Sequence, residues 1–119
     1  MKQWQRCIRP FATFLGFLGV ALGAFGAHSL KESVSPEMLT VWKTATLYLF
    51  VHVFASLYAF NVAPKIALLF SCGTLLFSGS LYLMVLTGYK YLGIVTPFGG
   101  VLYLIAWASL TFYLWKKND

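Results

Sequence analysis

The sequence has few charged residues. They make up 10% of the 119 residues, whereas an ordinary soluble domain contains about 25%. Hydrophobic residues make up 60%, which is more apolar material than a soluble chain of this length can hide, because small domains bury only about 60% of the surface that their unfolded chains expose. The scarcity of charge argues against a soluble domain and favours an integral membrane protein.

Acidic residues are absent from the apolar parts of the chain. Glu32, Glu37 and Asp119 all lie outside them. This absence argues against a proton relay of carboxylates and against a catalytic pair of acids. No hydrolase, kinase or redox motif is present in the sequence, so we expect no enzyme activity, no catalytic residue and no cofactor.

Cysteine and histidine are also scarce. Cys7 and Cys72 do not form a C-x-x-C pair, so the sequence predicts two free thiols and no redox or metal motif. The depths of His28 and His52 differ by roughly 15 Å when estimated from the helical rise. Bonds from histidine to a metal are only about 2 Å long. The two histidines therefore cannot share an ion within one chain, and we predict no metal site.

The sequence is rich in long apolar stretches. Each is close to the roughly 20 residues that cross a 30 Å hydrocarbon core, and they cover residues 11–27, 41–60, 66–86 and 98–115. Ser35-Pro36 and Thr96-Pro97 each combine a capping residue with a proline, which is typical of a helix start. We predict one all-α domain over residues 1–119, an integral membrane four-helix bundle with up-down-up-down topology.

Basic residues are distributed unevenly between the two ends of the predicted bundle. An even number of spans puts both termini on one side, together with six of the nine lysines and arginines: Lys2, Arg6, Arg9, Lys65, Lys116 and Lys117. The positive-inside rule places that side in the cytoplasm. The net charge of +6 thus reflects orientation in the membrane, and we expect no nucleic-acid partner.

Glycines recur at helical spacing in the first apolar stretch. Gly16, Gly19, Gly23 and Gly26 follow one another at steps of three, four and three, which places them on one helix face. Small residues at this spacing let two helix backbones approach closely in a bilayer. The stripe packs the first helix either within the chain, which we favour, or against another chain.

Polar side chains recur within the later apolar stretches. The helical rise places His52 near the midplane at the depth of Ser78, with Tyr48, Tyr82 and Tyr103 in a layer nearer the outer face. In one interpretation these residues hydrogen-bond to one another and hold the helices together. In the other they form a proton-sensitive or ligand-binding site centred on His52, because histidine titrates near neutral pH.

Five segments together carry a family resemblance: Leu22–His28, Trp42–His52, Ser78–Tyr82, Thr87-Gly88 and Thr96–Gly100. They resemble the motifs of domain of unknown function 423, a family that includes small bacterial inner-membrane proteins and the eukaryotic transmembrane protein 256. The resemblance spans nearly the whole chain. It implies a four-span integral membrane protein and transfers no catalytic role.

We therefore expect a small multi-pass protein of the bacterial inner membrane with cytoplasmic termini. It would act through contacts with membrane lipids, with a membrane-protein partner or with further copies of itself, for example as a stabilising accessory component. The alternative is a small-solute transporter or pore with a polar site around His52. An aqueous path lined by His52, Ser78 and the tyrosines would favour transport, and a dry, tightly packed bundle would favour the accessory role.

Overall fold

The computed structural model describes residues 1–118, and this part of the chain is helical apart from short connections. The elements are α1 (Gln3–Phe25) with a π-helical turn (Gly26–Leu30), α2 (Pro36–Val62), α3 (Pro64–Thr87), a 3₁₀ turn (Lys90–Ile94) and α4 (Thr96–Asn118). Four helical segments in this part are long and apolar enough to cross a membrane: Gln3–Leu30, Pro36–Val62, Pro64–Thr87 and Lys90–Lys117.

The helices extend beyond the apolar stretches. α1 begins at Gln3, eight residues before the apolar stretch that starts at residue 11, and α2 continues to Val62, beyond the stretch that ends at residue 60. Backbone hydrogen bonds of a helix form equally well beneath polar side chains. Hydropathy therefore marks the part of each helix that suits hydrocarbon, and the helix itself ends where a capping or breaking residue stands.

Local signals account for several helix ends. The hydroxyl of Ser35 accepts a hydrogen bond from the Met38 backbone N–H at 3.1 Å, and Pro36 opens α2 behind it. Pro64 opens α3 directly after the extended residue Ala63. Gly88 ends α3 with a φ of 77°, a left-handed conformation that strongly favours glycine. These connections are so short that consecutive helices must lie side by side.

Contacts between consecutive helices run in reverse sequence order. Thr46 near the start of α2 hydrogen-bonds Tyr82 near the end of α3, and Ser56 further along α2 hydrogen-bonds the earlier Ser71. α3 packs along α2 on one side and along α4 on the other, and α1 packs mainly on α2. α3 is therefore the central helix, and α2 and α4 are its two main neighbours.

Two apolar clusters fill the interior. One cluster draws on all four helices and includes Ile8, Phe60, Phe70 and Leu110, with Trp4 packed against it. This cluster lies at the end of the bundle that holds both termini. The other cluster draws its buried residues from α1, α2, α3 and the π-helical turn. α4 contributes no buried residue to that second cluster, so α4 covers the apolar interior only in the half of the bundle that holds the termini.

The outward surface is strongly apolar. Phe14, Phe17 and Val20 of α1 and Leu104 of α4 are all more than half exposed. Such a surface would drive aggregation in water, whereas hydrocarbon solvates it. The described fold is that of a membrane-spanning helical protein.

Candidate functional site

His52 is buried and joins α2 to α4. Its Nε2 accepts a hydrogen bond from the indole N–H of Trp107 at 3.0 Å, and its Nδ1 lies 2.7 Å from the Tyr48 carbonyl oxygen. An indole N–H can only donate and a carbonyl can only accept. The proton of the imidazole therefore resides on Nδ1, and both ring nitrogens of a neutral His52 are occupied.

The imidazole ring of His52 also lies in an aromatic stack. It stacks on Tyr103 with the ring centroids 3.5 Å apart, and Tyr48 stacks on it from the same helix at 5.9 Å. The hydroxyl of Tyr103 donates to Thr74 on α3 at 2.9 Å. His52 and Tyr103 thus connect the three helices α2, α3 and α4 at mid-depth.

The five residues of the predicted polar site are divided by the structure. Tyr48, His52 and Tyr103 come together, as described. Tyr82 instead shares a hydrogen bond of 2.6 Å with Thr46 and packs on the Trp42 ring, with the centroids 4.5 Å apart. Helical rise places residues by depth only, and Tyr82 lies on the side of α3 that faces the second apolar cluster.

Ser78, the fifth predicted residue, is buried between these two groups. Its hydroxyl donates to the Ala45 carbonyl of α2 at 2.7 Å. This bond ties α3 to the backbone of α2, so the Ser78 hydroxyl is committed to helix packing.

Trp107 is the important residue that the sequence reasoning missed. Tryptophan in membrane proteins is enriched at the interfaces, whereas Trp107 lies in the middle of the fourth apolar stretch. A tryptophan at mid-span, near the depth estimated for His52, could have indicated that its indole N–H needs a partner inside the bundle.

Hydroxyl groups elsewhere in the bundle are also paired. Ser56 donates to the Ala67 carbonyl at 3.0 Å and shares a second bond with Ser71, while Ser80 shares a bond with Thr96 on α4. Within residues 1–117, every buried side-chain nitrogen and oxygen has a hydrogen-bond partner. The buried polar side chains are therefore satisfied by hydrogen bonds within the protein.

The glycine stripe of α1 faces α2. A Cβ built on Gly19 would lie 2.6 Å from Leu49 Cδ2, and one on Gly26 would lie 2.5 Å from the Trp42 ring. Built on Gly16 or Gly23, it would make ordinary contacts with α2 at 3.7 and 3.4 Å. All four glycines thus lie at a contact within the chain, and two of them permit a close approach that alanine would obstruct.

The π-helical turn adds a polar tie at the same contact. The indole N–H of Trp42 donates to the Leu22 carbonyl of α1 at 2.8 Å, across the position of Gly26. His28 lies within this turn and is exposed. In the part of the chain that the structure describes, no three side chains from His, Cys, Asp and Glu come together as metal ligands.

A groove separates α2 from α4 in the half of the bundle away from the termini. It encloses about 710 Å³, and its walls include Leu47 and Val51 from α2 and Val101 and Leu104 from α4. These wall residues are exposed on the outer surface, so the groove opens sideways. A second cavity of about 480 Å³ lies between the same helices nearer the termini, and Trp107 lines both.

The fold and the paired polar interior define the class of this molecule as a small helical membrane protein whose polar groups hold its helices together. The chain belongs to the family described as "Protein of unknown function (DUF423)", whose model matches residues 22–100. That match begins at Leu22, the carbonyl partner of Trp42, and ends at Gly100 in the groove.

Curated relatives cover most of the chain. A UPF0382 membrane protein of Staphylococcus aureus is 40% identical over 106 residues, which are 83% of this chain and 87% of that protein. The UPF0382 inner membrane protein YgdD of Escherichia coli strain K12 is 39% identical over 114 residues, 89% of this chain and 87% of that protein. YwdK of Bacillus subtilis, also a UPF0382 membrane protein, is 38% identical over 103 residues, 78% of this chain and 83% of that protein. No solved structure shows significant similarity to the chain.

Proposed function

We propose that this protein is a non-enzymatic accessory component of the bacterial inner membrane that acts through contacts with lipids or with other membrane proteins. The observation that carries the proposal is the satisfied interior. Both ring nitrogens of His52 are occupied, and the buried hydroxyls of residues 1–117 are paired. A group whose hydrogen-bonding capacity is already used must first break a bond before it can act on a substrate. The parts of the molecule that are free to contact other molecules are instead its apolar exterior and the groove between α2 and α4.

The proposal includes an orientation. The four helices cross the bilayer in up-down-up-down order, and both termini lie in the cytoplasm. In support, Trp4 of α1 and Leu114 of α4 pack against the same apolar cluster, so the two chain ends share one end of the bundle. Most of the basic residues belong to that end, and the positive-inside rule assigns it to the cytoplasm.

Purification from native membranes tests the accessory role. A tagged full-length chain is extracted in a mild detergent, and the proteins and lipids retained with it are quantified by mass spectrometry against an untagged control. We expect enrichment of a specific membrane protein or a specific lipid. Co-expression of two differently tagged copies shows whether the partner is a second copy. A chain that retains neither lipid nor protein above the control would contradict the proposal.

A transporter of small solutes is the second candidate function, because His52 and Tyr48 line the groove between α2 and α4. Stopped-flow swelling of vesicles in a glycerol gradient provides a simple test. Vesicles that contain the chain and swell faster than empty vesicles would support transport, and equal rates would argue against transport of this solute.

A further inference from the structure

The first two turns of α1 carry a basic stripe, defined here as Lys2, Arg6 and Arg9. These residues follow one another at steps of four and three, a spacing that puts them on one helix face with neighbouring Cβ atoms about 5–6 Å apart. All three are exposed. The acidic side chains of residues 1–117 are those of Glu32 and Glu37, which lie at the other end of the bundle. No acidic side chain in this part of the chain therefore neutralises the stripe.

The stripe lies at the depth of the lipid headgroups. The first apolar stretch begins at residue 11, so the helical rise puts Arg9 about 3 Å and Arg6 about 8 Å outside it. A headgroup layer is about 5–8 Å thick on each side of the hydrocarbon core. Side chains on a helix lean toward its N-terminus, which for α1 is the direction away from hydrocarbon. Both guanidinium groups are therefore at the level of the lipid phosphates.

The Arg9 side chain is held in place by an aromatic ring. Its guanidinium carbon lies over the ring of Phe60, 4.4 Å from the centroid, and Phe60 is buried near the end of α2. A planar guanidinium can stack on an aromatic face and also bind a phosphate through two parallel hydrogen bonds. Because the ring restricts the Arg9 side chain before any ligand arrives, less conformational entropy is lost when a ligand binds.

An apolar strip continues the basic stripe into the hydrocarbon. Thr13, Phe17 and Val20 follow Arg9 at steps of four, four and three, and all three are exposed. The Thr13 hydroxyl donates to the Arg9 carbonyl at 2.9 Å, so its proton is not left unpaired in the strip. One face of α1 thus combines cations at headgroup level with apolar side chains below them. This arrangement matches an amphiphile with an anionic head and acyl chains.

The charges of this face favour a phospholipid with a net negative charge over a zwitterionic one. Both kinds of lipid carry a phosphate that Arg6 and Arg9 can bind. The ammonium of phosphatidylethanolamine would meet the positive charge of Lys2, and no acidic side chain of residues 1–117 lies at this end to accept it. The glycerol head of phosphatidylglycerol is uncharged and meets no such repulsion. Basic clusters beside a membrane helix typically attract anionic lipids.

We propose that the basic stripe binds one anionic phospholipid of the leaflet at the end of the bundle that holds the termini. The phosphate lies between Arg6 and Arg9, and an acyl chain lies along Phe17 and Val20. This inference rests on the accessory function proposed above and names the class of lipid that the protein contacts.

Native mass spectrometry of the full-length chain measures the binding, with phosphatidylglycerol or phosphatidylethanolamine titrated into the same detergent solution. We expect the first phosphatidylglycerol to bind about fivefold more tightly than the first phosphatidylethanolamine. Arg9→Gln should weaken the binding of phosphatidylglycerol about tenfold, because the hydrogen bonds that it removes are charge-assisted. Arg9→Lys keeps the charge but loses the planar stacked group, and it should weaken binding about threefold.

Lys116→Gln is the matched control. It removes one positive charge from the same end of the bundle, and Lys116 is an exposed residue of α4, a helix that packs mainly on α3. We expect this variant to bind phosphatidylglycerol as tightly as the original protein. An equal loss of affinity in Lys116→Gln and Arg9→Gln would indicate general attraction to a basic surface and would overturn the site.

Photolabelling locates the lipid in vesicles of phosphatidylethanolamine and phosphatidylglycerol. Two probes carry the same diazirine midway along one acyl chain and differ only in the headgroup. Phe17 in the apolar strip and Phe112 on α4 are almost equally exposed, at 65% and 64%. The ratio of labelling at Phe17 to labelling at Phe112 should be higher for the phosphatidylglycerol probe, and Arg9→Gln should remove the difference between the probes.

The results separate this inference from the accessory function. Equal affinities for the two lipids, an unchanged affinity in Arg9→Gln, or a labelling ratio that is the same for both probes would overturn the site. An affinity of Arg9→Lys equal to that of the original protein would overturn the role of the stacked guanidinium. A protein partner retained in native membranes would still support the accessory function in each case. Thermal melting in detergent identifies a variant that has lost its fold, and Arg9→Lys, which preserves the charge, then decides the assignment.

Discussion

Gly99 and Gly100 are adjacent in α4, and the structure predicts opposite results when each is replaced by alanine. A Cβ built on Gly99 would lie 2.8 Å from Phe77 Cα and closer still to Phe77 N, both backbone atoms of α3. One built on Gly100 would meet nothing within 4 Å. The two variants therefore compare one glycine-to-alanine change next to the backbone of α3 with the same change in open space, within one turn of α4.

The cost of Gly99→Ala follows from the atoms in the way. Carbon atoms pack comfortably at about 3.5–4.0 Å, so α4 must move away from α3 by roughly 1 Å to relieve the contact. Overpacking typically costs about 1–3 kcal/mol. We expect the upper half of that range, because a helix backbone cannot rotate aside as a side chain can. The movement also strains the bond between Ser80 and Thr96 and that between Tyr103 and Thr74.

Gly100→Ala should be neutral or slightly stabilising, because alanine is up to about 1 kcal/mol more favourable than glycine within a helix. Unfolding of both variants by sodium dodecyl sulfate in mixed micelles, followed by tryptophan fluorescence, measures the difference in the free energy of unfolding. Equal unfolding midpoints for the two variants would refute the packing of α3 against α4 described above.

Three further predictions follow from other contacts. Gly19→Ala should destabilise the protein by about 1 kcal/mol, the lower end of the range for overpacking, because the obstructing Leu49 Cδ2 ends a side chain that can shift. Gly16→Ala, with its nearest atom at 3.7 Å, should be nearly neutral. The same unfolding assay compares the two variants, and a larger loss for Gly16→Ala than for Gly19→Ala would contradict the α1–α2 contact. Trp107→Phe should lower the free energy of unfolding by about 1–3 kcal/mol, because it leaves His52 Nε2 without a donor. In ¹⁵N NMR of the imidazole, Nδ1 should be protonated, and the Nε2 resonance should shift between the original protein and the variant. An unchanged Nε2 resonance would argue against the bond. A reporter that is active only in the cytoplasm should be active when fused to either chain end, because the proposed orientation puts both ends on the side with most of the basic residues. A reporter that is active only in the periplasm should be inactive there, and its activity at either end would overturn the proposed orientation.

The secondary structure was largely accessible from the sequence. Long apolar runs predict four membrane-spanning helices, and four such helices are present in residues 1–118. Ser35 with Pro36 predicts the start of α2, and the structure places the cap there. The apolar runs do not indicate where the helices end outside hydrocarbon, as at Gln3, because hydropathy does not report on backbone hydrogen bonds among polar residues.

The site was accessible only in part. Helical rise places His52 near the midplane and Tyr48 and Tyr103 in a layer nearer the outer face, and in the structure the rings of these three residues stack on one another. Tyr82, which the same rule groups with the other tyrosines by depth, joins Trp42 and Thr46 in the structure. The rotation of each helix about its axis depends on which side chains interlock with its neighbours, and periodicity within one helix does not contain that information.

The sequence alone predicts that the protein lies in a membrane, that it has four membrane-spanning helices and that polar side chains lie at mid-depth. Those properties depend on composition and on local spacing, which the chain carries wherever it folds. Only the tertiary structure shows that the Trp107 indole donates a hydrogen bond to His52 Nε2. It also shows that Gly99 faces the backbone of α3, whereas Gly100 lines the groove between α2 and α4. Each of these depends on how helices distant in sequence pack, and packing follows from the combined shape of many side chains.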